Sequence, residues 1–265
     1  MMNWTVLADN RTLDPRLETE HGLAILLQTG SFRILLDTGA SDLLLRNAEK
    51  LGISLRNLDY VFVSHGHADH AGGLRHVLDI NPGTRVIVSP QAFGLRFFSK
   101  RNHLHEITPP WPADLSSRLM SADTFDELPD GLHVIRQIPR LNPTPRANRL
   151  LFVQNENENL MADDFGHEMA FYANGLLFTG CAHNGLENIL AACSWPIRIV
   201  VGGFHLLDGT EEESAITALA RRLQTAYPAV RFFTSHCTGD HTFSLMKRVM
   251  GDQLQAFSCG THFEE

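Results

Sequence analysis

The sequence predicts an α/β layer architecture, and three observations lead there. Short apolar runs alternate with amphipathic runs through the first ninety or so residues, and again after about residue 169. Glycine, asparagine and proline turns separate these runs. Four of the apolar runs end in turns that carry histidine, as expected where strand ends hold a site and strand bodies hold the frame.

Taken in order, residues 23–28 and 32–36 are apolar runs joined at Thr29-Gly30-Ser31, which predicts a hairpin. Ser41 precedes Leu43, Leu44, Leu45, Ala48 and Leu51, and Gly52 follows. That is an amphipathic helix with a serine N-cap and a glycine stop. Val61-Phe62-Val63 reads as a short buried strand ending at Ser64-His65, and Gly72-Gly73 opens a helix over residues 74–79. Asn81-Pro82-Gly83 turns the chain into a strand over residues 85–88. Beyond it, residues 89–159 are rich in proline and weakly periodic, so they read as an insertion with a few short strands, one at 132–138. Such a segment suits a lid over a site or an oligomer contact. A hairpin then turns at Asn174-Gly175 between residues 169–172 and 176–178. A helix at 186–192, a strand at 197–201 and a helix at 211–223 with acidic residues at its start follow. A strand at 230–233, a helix at 243–250 and a strand at 254–259 complete the alternation.

Composition narrows the function classes. The 265 residues are compatible with one large α/β domain spanning 1–265. The net charge of −8 is spread along the chain, which argues against nucleic-acid or membrane-surface partners and leaves a small molecule as the expected one. The N-terminus shows neither the basic nor the apolar region of a signal peptide. Four irregularly spaced cysteines, Cys181, Cys193, Cys237 and Cys259, make a poor disulfide framework and suit a reducing cytoplasm.

The chemistry lies in the histidine turns. Val61-Phe62-Val63 leads to His65-Gly66-His67-Ala68-Asp69-His70, and Leu176-Leu177-Phe178 leads to Gly180-Cys181-Ala182-His183. Residues 197–201 lead to Gly202-Gly203-Phe204-His205, and Arg231-Phe232-Phe233 leads to Ser235-His236-Cys237. An extended turn can point His65 and His67 the same way, with Asp69 and His70 reaching a second ion nearby. The plainer reading, a polar loop that happens to be rich in histidine, does not account for the whole six-residue run between a strand and Gly72-Gly73.

The run His65-Gly66-His67-Ala68-Asp69-His70 resembles the H-x-H-x-D-H signature of the metallo-β-lactamase superfamily. The upstream Ile34-Leu35-Leu36-Asp37-Thr38-Gly39 resembles its strand–Asp–Thr–Gly element. The blocks Gly180-Cys181-Ala182-His183-Asn184-Gly185, Gly202-Gly203-Phe204-His205-Leu206 and His236-Cys237-Thr238-Gly239 are similar to the branch of dihydropterin and ribofuranosylaminobenzene 5'-phosphate synthase-like hydrolases. This resemblance implies a four-layer αβ/βα sandwich of two mixed sheets with outer helices. It implies two divalent ions, zinc expected and iron or manganese as alternatives, with His65, His67 and His183 holding one and Asp69, His70 and His236 the other. His167 lies upstream, where other members place the first ion's third ligand, and Gly180-Cys181 stands where many have Gly-Asp with a bridging aspartate. The sequence therefore leaves open whether His167 or Cys181 joins the ligand set.

The function expected is a metal-dependent hydrolase acting through a dinuclear site and metal-bound hydroxide on a small, phosphorylated or pterin-like substrate, with Asp69 in the catalytic role. His205, after two glycines, is expected to contact substrate, and Asp37 to orient a ligand from behind. Glu168 is read as a holder of a neighbouring loop or a surface charge. Arg136, Arg140, Arg146 and Arg149 would suit a phosphate or a solvated face. His21, His76, His103, His105, His133, His241 and His262 are read as solvent or core residues. An iron-dependent redox enzyme on the same fold and a non-catalytic ligand sensor are the rival expectations. Oligomer state is open, a homo-oligomer being compatible.

Overall fold

In the computed structural model, which describes residues 2–30, 32–120, 124–125, 128–154 and 159–265, strict alternation along the strands builds four layers. The first half of the chain runs β1 (Met2–Ala8), β2 (Ala24–Thr29), β3 (Phe32–Leu36), α1 (Leu43–Lys50), β4 (Tyr60–Phe62), α2 (Ala68–Ala71), α3 (Leu74–Ile80) and β5 (Arg85–Ile87). There follow β6 (Arg96–Ser99), β7 (His105–Glu106), β8 (Leu132–Ile135), β9 (Leu151–Gln154) and β10 (Leu160–Ala162). The second half runs β11 (Ala170–Ala173), β12 (Leu176–Phe178), α4 (Leu186–Ala192), β13 (Ile199–Val201) and α5 (Glu213–Ala226). It ends with β14 (Arg231–Thr234), α6 (Asp240–Met250), β15 (Leu254–Ala256) and β16 (His262–Glu264).

Two six-stranded sheets face each other, ordered β16-β1-β2-β3-β4-β5 and β15-β14-β13-β12-β11-β8. Both are mixed. The first is antiparallel from β16 to β3 and parallel from β3 to β5. The second is parallel from β15 to β12 and antiparallel from β12 to β8. Ile25, Leu27, Ile34, Leu36 and Phe62 point inward to meet Phe171, Phe178, Val201 and Phe233. Their chain neighbours Leu26, Leu35 and Val61 point outward onto α1 and α3. Likewise Leu177, Val200 and Phe232 turn outward onto α4, α5 and α6. The period of two thus sends every second residue of each sheet to the shared core and the rest to a helical layer. This is the sandwich of two mixed sheets with outer helices that the sequence leads one to expect.

Most elements fall where the sequence places them. The hairpin turn at Asn174-Gly175 has φ of 46° and 99°, the left-handed pair that a two-residue β-turn needs. Gly52 closes α1 with φ 70°, donating to Glu49 while Ile53 donates back to Ala48. At the other end Ser41 Oγ accepts from Leu43 N, although the first helical turn begins one residue later than a serine cap would set it. Besides the single turn α2 and the last strand β16, two larger features were not placed by the sequence. The first is β1, which pairs with both β2 and β16 and carries the fully buried Trp4. The second is a separate antiparallel sheet, β10-β9-β6-β7, built from the proline-rich stretch and its continuation. Within the same stretch, β8 belongs instead to the second main sheet. Among the described residues no helix is long and apolar enough to cross a membrane.

One close contact sets the rim of the first sheet. A Cβ on Gly73 would stand 2.2 Å from the Thr38 carbonyl oxygen and 2.5 Å from that of Ser41. Backbone cannot yield cheaply there, so the turn after β3 and the start of α3 touch only because the residue is glycine. Gly73→Ala is expected to cost about 3 kcal/mol of stability by overpacking. Gly52→Ala, in open space with only its positive φ to strain, is expected to cost about 1 kcal/mol. Urea denaturation of the two variants checks the order; equal losses would contradict the packing described.

Candidate metal centre

The parallel strands of both sheets end on one rim. The turn after β4 supplies His65, His67, Asp69 and His70, the turn after β12 supplies Cys181 and His183, that after β13 supplies His205 and that after β14 supplies His236. Strand ends β1 and β3 add Asp9, Asn10 and Asp37. Asp37, Ala182, His205 and His236 all have left-handed backbone, with φ between 50° and 57°. Non-glycine residues adopt it at a cost, so their surroundings must hold them. For His236 the hold is visible: its N–H donates to Asp9 Oδ1 at 3.0 Å, and Asp9 Oδ2 accepts from Ser235 Oγ at 2.9 Å. Gly180 lets the two sheets meet, since a Cβ there would stand 2.1 Å from Ser64 Oγ.

Hydrogen bonds on the far ring nitrogens decide what the near ones present. Ser64 Oγ donates to Asp37 Oδ2 at 2.8 Å, so it can only accept from His65 Nδ1, also at 2.8 Å. His70 Nδ1 donates to Asp37 Oδ2 at 2.6 Å. Asn148 Oδ1 accepts from His183 Nδ1 at 3.1 Å while its amide donates to the His183 carbonyl at 2.8 Å. Asn10 Oδ1 accepts from His236 Nδ1 at 3.0 Å. In its neutral form each ring therefore turns an unprotonated Nε2 inward. These nitrogens meet in pairs: His65 Nε2 and His183 Nε2 at 3.3 Å, and His70 Nε2 and His236 Nε2 at 3.1 Å. Two acceptors facing each other in a dry interior repel unless a cation or proton stands among them.

The remaining donors gather around these pairs. His65, His67 and His183 can offer ring nitrogens all within 4.8 Å of one another, as can His65, His70 and the Cys181 sulfur. Asp69 Oδ2 stands 3.4 Å from His236 Nε2 and 3.7 Å from His70 Nε2. Cys181 Sγ lies 3.1 Å from His70 Nε2 and shares further groups with His236 and Cys237 and with His183 and His205. His67 Nε2 and both ring nitrogens of His205 are buried and make no hydrogen bond. Imidazole, carboxylate and thiol at this spacing suit zinc or iron. The donor set fits a metal centre.

The electrostatics agree. Burial, then His70 and His67, hold His65 well below the usual histidine range. Burial and the neighbouring His205 and His65 do the same for His183. Burial works to raise Asp69, but His70 and His236 overcome it and hold the carboxyl well below its ordinary value. Burial opposes charge on His70, yet the carboxylates of Asp69 and Asp37 outweigh it and push the ring up to about 9. A field that favours a proton there favours a cation for the same reason.

The structure brings His65, His67, Asp69, His70, His183, His205 and His236 together at this rim. His167 stands behind it: Nδ1 accepts from Gly66 N at 3.2 Å, leaving Nε2 to donate to Asp163 at 3.1 Å. With both nitrogens so used, it braces the first turn. Glu168 holds a loop, its carboxylate accepting from the backbone of His183 and of Asn184, both at 2.7 Å. Two histidines read as solvent or core residues are exposed and also border the centre. His21 stacks on His236 with centroids 5.1 Å apart and points Nε2 at Asp69 Oδ2 at 3.4 Å. His105 lines the cleft above the rim. Asn10, Asn148 and Asp163 were missed by sequence reasoning, because a loop asparagine or aspartate shows no pattern until folding sets it beside a ring. Phe165, stacked on His183 at 4.4 Å, and Phe97, edge-on to His67 at 5.4 Å, were missed as well.

Residues 18–139 match the family described as the metallo-beta-lactamase superfamily. The chain is 25% identical over 244 residues to the uncharacterized protein MJ0448 of Methanocaldococcus jannaschii, covering 88% of this chain and 90% of that one. It is 26% identical over 262 residues to the same organism's 7,8-dihydropterin-6-methyl-4-(beta-D-ribofuranosyl)-aminobenzene-5'-phosphate synthase, covering 89% and 87%. Among solved structures, that of Tm1679, described as a metal-dependent hydrolase of the beta-lactamase superfamily, aligns with a TM-score of 0.83 at 27% identity over 100% and 99% of the two chains. YhfI from Bacillus subtilis, a metallo-beta-lactamase fold protein, shares the fold at a TM-score of 0.58 and 14% identity over the whole of both chains.

Asp37 accepts from both Ser64 and His70, and so ties the turn of His65 to the ring of His70. Asp37→Ala is expected to weaken metal binding by about 10–100-fold while leaving the fold intact. Competition against a chromogenic chelator measures the affinity and circular dichroism the fold. Wild-type affinity in the folded variant would show that the rings need no such orientation.

Proposed function

From the metallo-β-lactamase fold that spans the whole chain, we propose that this protein is a metal-dependent hydrolase of a small molecule, working through two cations. The reading is carried by the two pairs of inward-facing imidazole nitrogens, His65 with His183 and His70 with His236. His65, His67 and His183 would hold one cation, and Asp69, His70 and His236 the other, with Cys181 beside both groups. Bound cations of this kind supply Lewis acidity, making water acidic near neutral pH and offsetting charge on an oxyanion or leaving group. The chain's own residues do the rest. Asp69, partly exposed at the cleft floor, accepts a hydrogen bond from the attacking water and aligns it. His205 offers two unsatisfied buried ring nitrogens to the substrate. Phe97 and Phe165 pack the histidines from the side and keep bulk water away.

A cleft of about 380 Å³ opens above the rim, the scale of a small molecule. The relative named as a pterin phosphate synthase supports a phosphorylated or pterin-like substrate, and zinc is the cation the imidazole-rich set favours. The sulfurs of Cys181 and Cys237 beside His236 support a second reading, an iron centre with redox chemistry.

Protein purified without added metal, examined by elemental analysis and assayed on generic phosphodiester and carboxylic ester substrates, separates these readings. Two zinc equivalents per chain and metal-dependent turnover are expected, with Asp69→Ala losing about a hundredfold or more in kcat. Unchanged turnover in a fully loaded Asp69→Ala protein would defeat the hydrolytic mechanism. Stoichiometric iron with oxygen uptake would establish the redox reading instead.

A further inference from the structure

The cleft above the rim has one wall that does not come from the two main sheets. It is made by the facing ends of β6 and β7 and the turn between them, which carry Ser99, Arg101, Asn102 and His105 to the opening. This turn is held in place. Lys100 N donates to the Leu150 carbonyl at 2.7 Å, Arg101 N to Ser99 Oγ at 3.2 Å and His103 N to the Arg101 carbonyl at 2.9 Å. Asn102 takes the left-handed conformation at φ 67°, which asparagine tolerates better than most residues.

The charges along the cleft are already committed, with one exception. Asp69 faces His21, His236 and His70. Glu106 is neutralised by a two-pronged contact from Arg96, Nε to Oε1 at 3.0 Å and Nη2 to Oε2 at 2.6 Å. His105 spends Nδ1 on the His103 carbonyl at 2.9 Å. Arg101 alone of the lining residues carries a fixed positive charge, and among the described residues no carboxylate lies within ion-pair distance of its guanidinium. The arginines that the sequence offers for a phosphate are elsewhere. Arg140 donates to the Asp164 carbonyl, Arg146 faces Glu211 at 3.6 Å and Glu212 at 3.7 Å, Arg136 lies over the Phe125 ring, and none of these or Arg149 lines the cleft.

We propose that Arg101 is the specificity-determining residue of this cleft, and that the substrate carries an anionic group, phosphate or carboxylate, at the end remote from the bond that reacts. This rests on the metal-centre reading above. The rim engages one end of the substrate, and the guanidinium takes the far anion through paired N–H donors. The braced backbone sets where that side chain starts, so its reach to the rim would select for length as well as charge.

Calorimetry on the zinc-loaded protein tests this without requiring turnover. The probes are the straight-chain dicarboxylates from succinate to suberate, the monocarboxylates of matching length, and phosphonocarboxylates of the same span. The metal centre takes one carboxylate of every probe, and only the two-headed probes can also reach Arg101. At least one diacid or phosphonocarboxylate is expected to bind about tenfold more tightly than its monoacid, and Arg101→Ala to abolish that advantage while leaving monoacid affinity and zinc content unchanged. Arg101→Lys is expected to restore part of it. A stronger advantage for the phosphonates identifies a phosphate, and one for the diacids a carboxylate. An advantage that survives in Arg101→Ala, or none at any length in the wild type, overturns the proposal. Failure of the zinc-loaded protein to bind even the monoacids would instead count against the metal centre.

Discussion

Four imidazoles turned nitrogen to nitrogen in a dry interior are the constraint on which this molecule depends. Neutral rings left to themselves would rotate to give each nitrogen a partner of opposite kind. Here they cannot, because Ser64, Asp37, Asn148 and Asn10 each claim the outer nitrogen and so fix the tautomer of the ring they touch. The frustration at the centre is therefore maintained from behind, by groups that never face the cleft. Asp37 does most of this, joining the turn that bears His65 to the ring of His70 through a single carboxylate.

That arrangement places demands on the fold. The donors come from four turns on two sheets, and those turns can share one rim only if the sheets are locked against each other. The interleaved aromatic core of Trp4, Phe62, Phe171, Phe178 and Phe233 supplies the lock, with ring pairs such as Phe62 and Phe171 at 5.1 Å. At the rim itself the backbone runs through left-handed positions at Asp37, Ala182, His205 and His236, so packing energy from the core is used to hold strained geometry where the chemistry sits.

The parts of this design that were legible in the sequence are those written in local pattern. Strand–histidine turns, the Asn174-Gly175 hairpin and the helix closed by Gly52 all depend on residues close together in the chain, and they fall where expected. The strand β1 was not anticipated although Asn3 and Thr5 alternate with Met2, Trp4 and Val6, and its partner β16 lies at the opposite end of the sequence. A few short strands were expected in the proline-rich stretch, but the positions and pairing of the sheet β10-β9-β6-β7 were not, for a related reason. Its strands are two to four residues long and half-exposed, too short for a period to show. The histidines of the centre announced themselves by clustering, whereas His21, Asn10 and Asn148 join it through proximity alone, which a linear pattern does not encode.

The small sheet has a further meaning for how such a protein diversifies. Its turn forms one side of the cleft but supplies none of the ring nitrogens, and its strands pair with each other and not with the two main sheets. On the reading proposed above, selectivity and reactivity would be housed in separable pieces of chain. Lineages, or protein engineers, can lengthen, recharge or replace the turn after β6 to recruit a new compound, while the machinery beneath is inherited untouched.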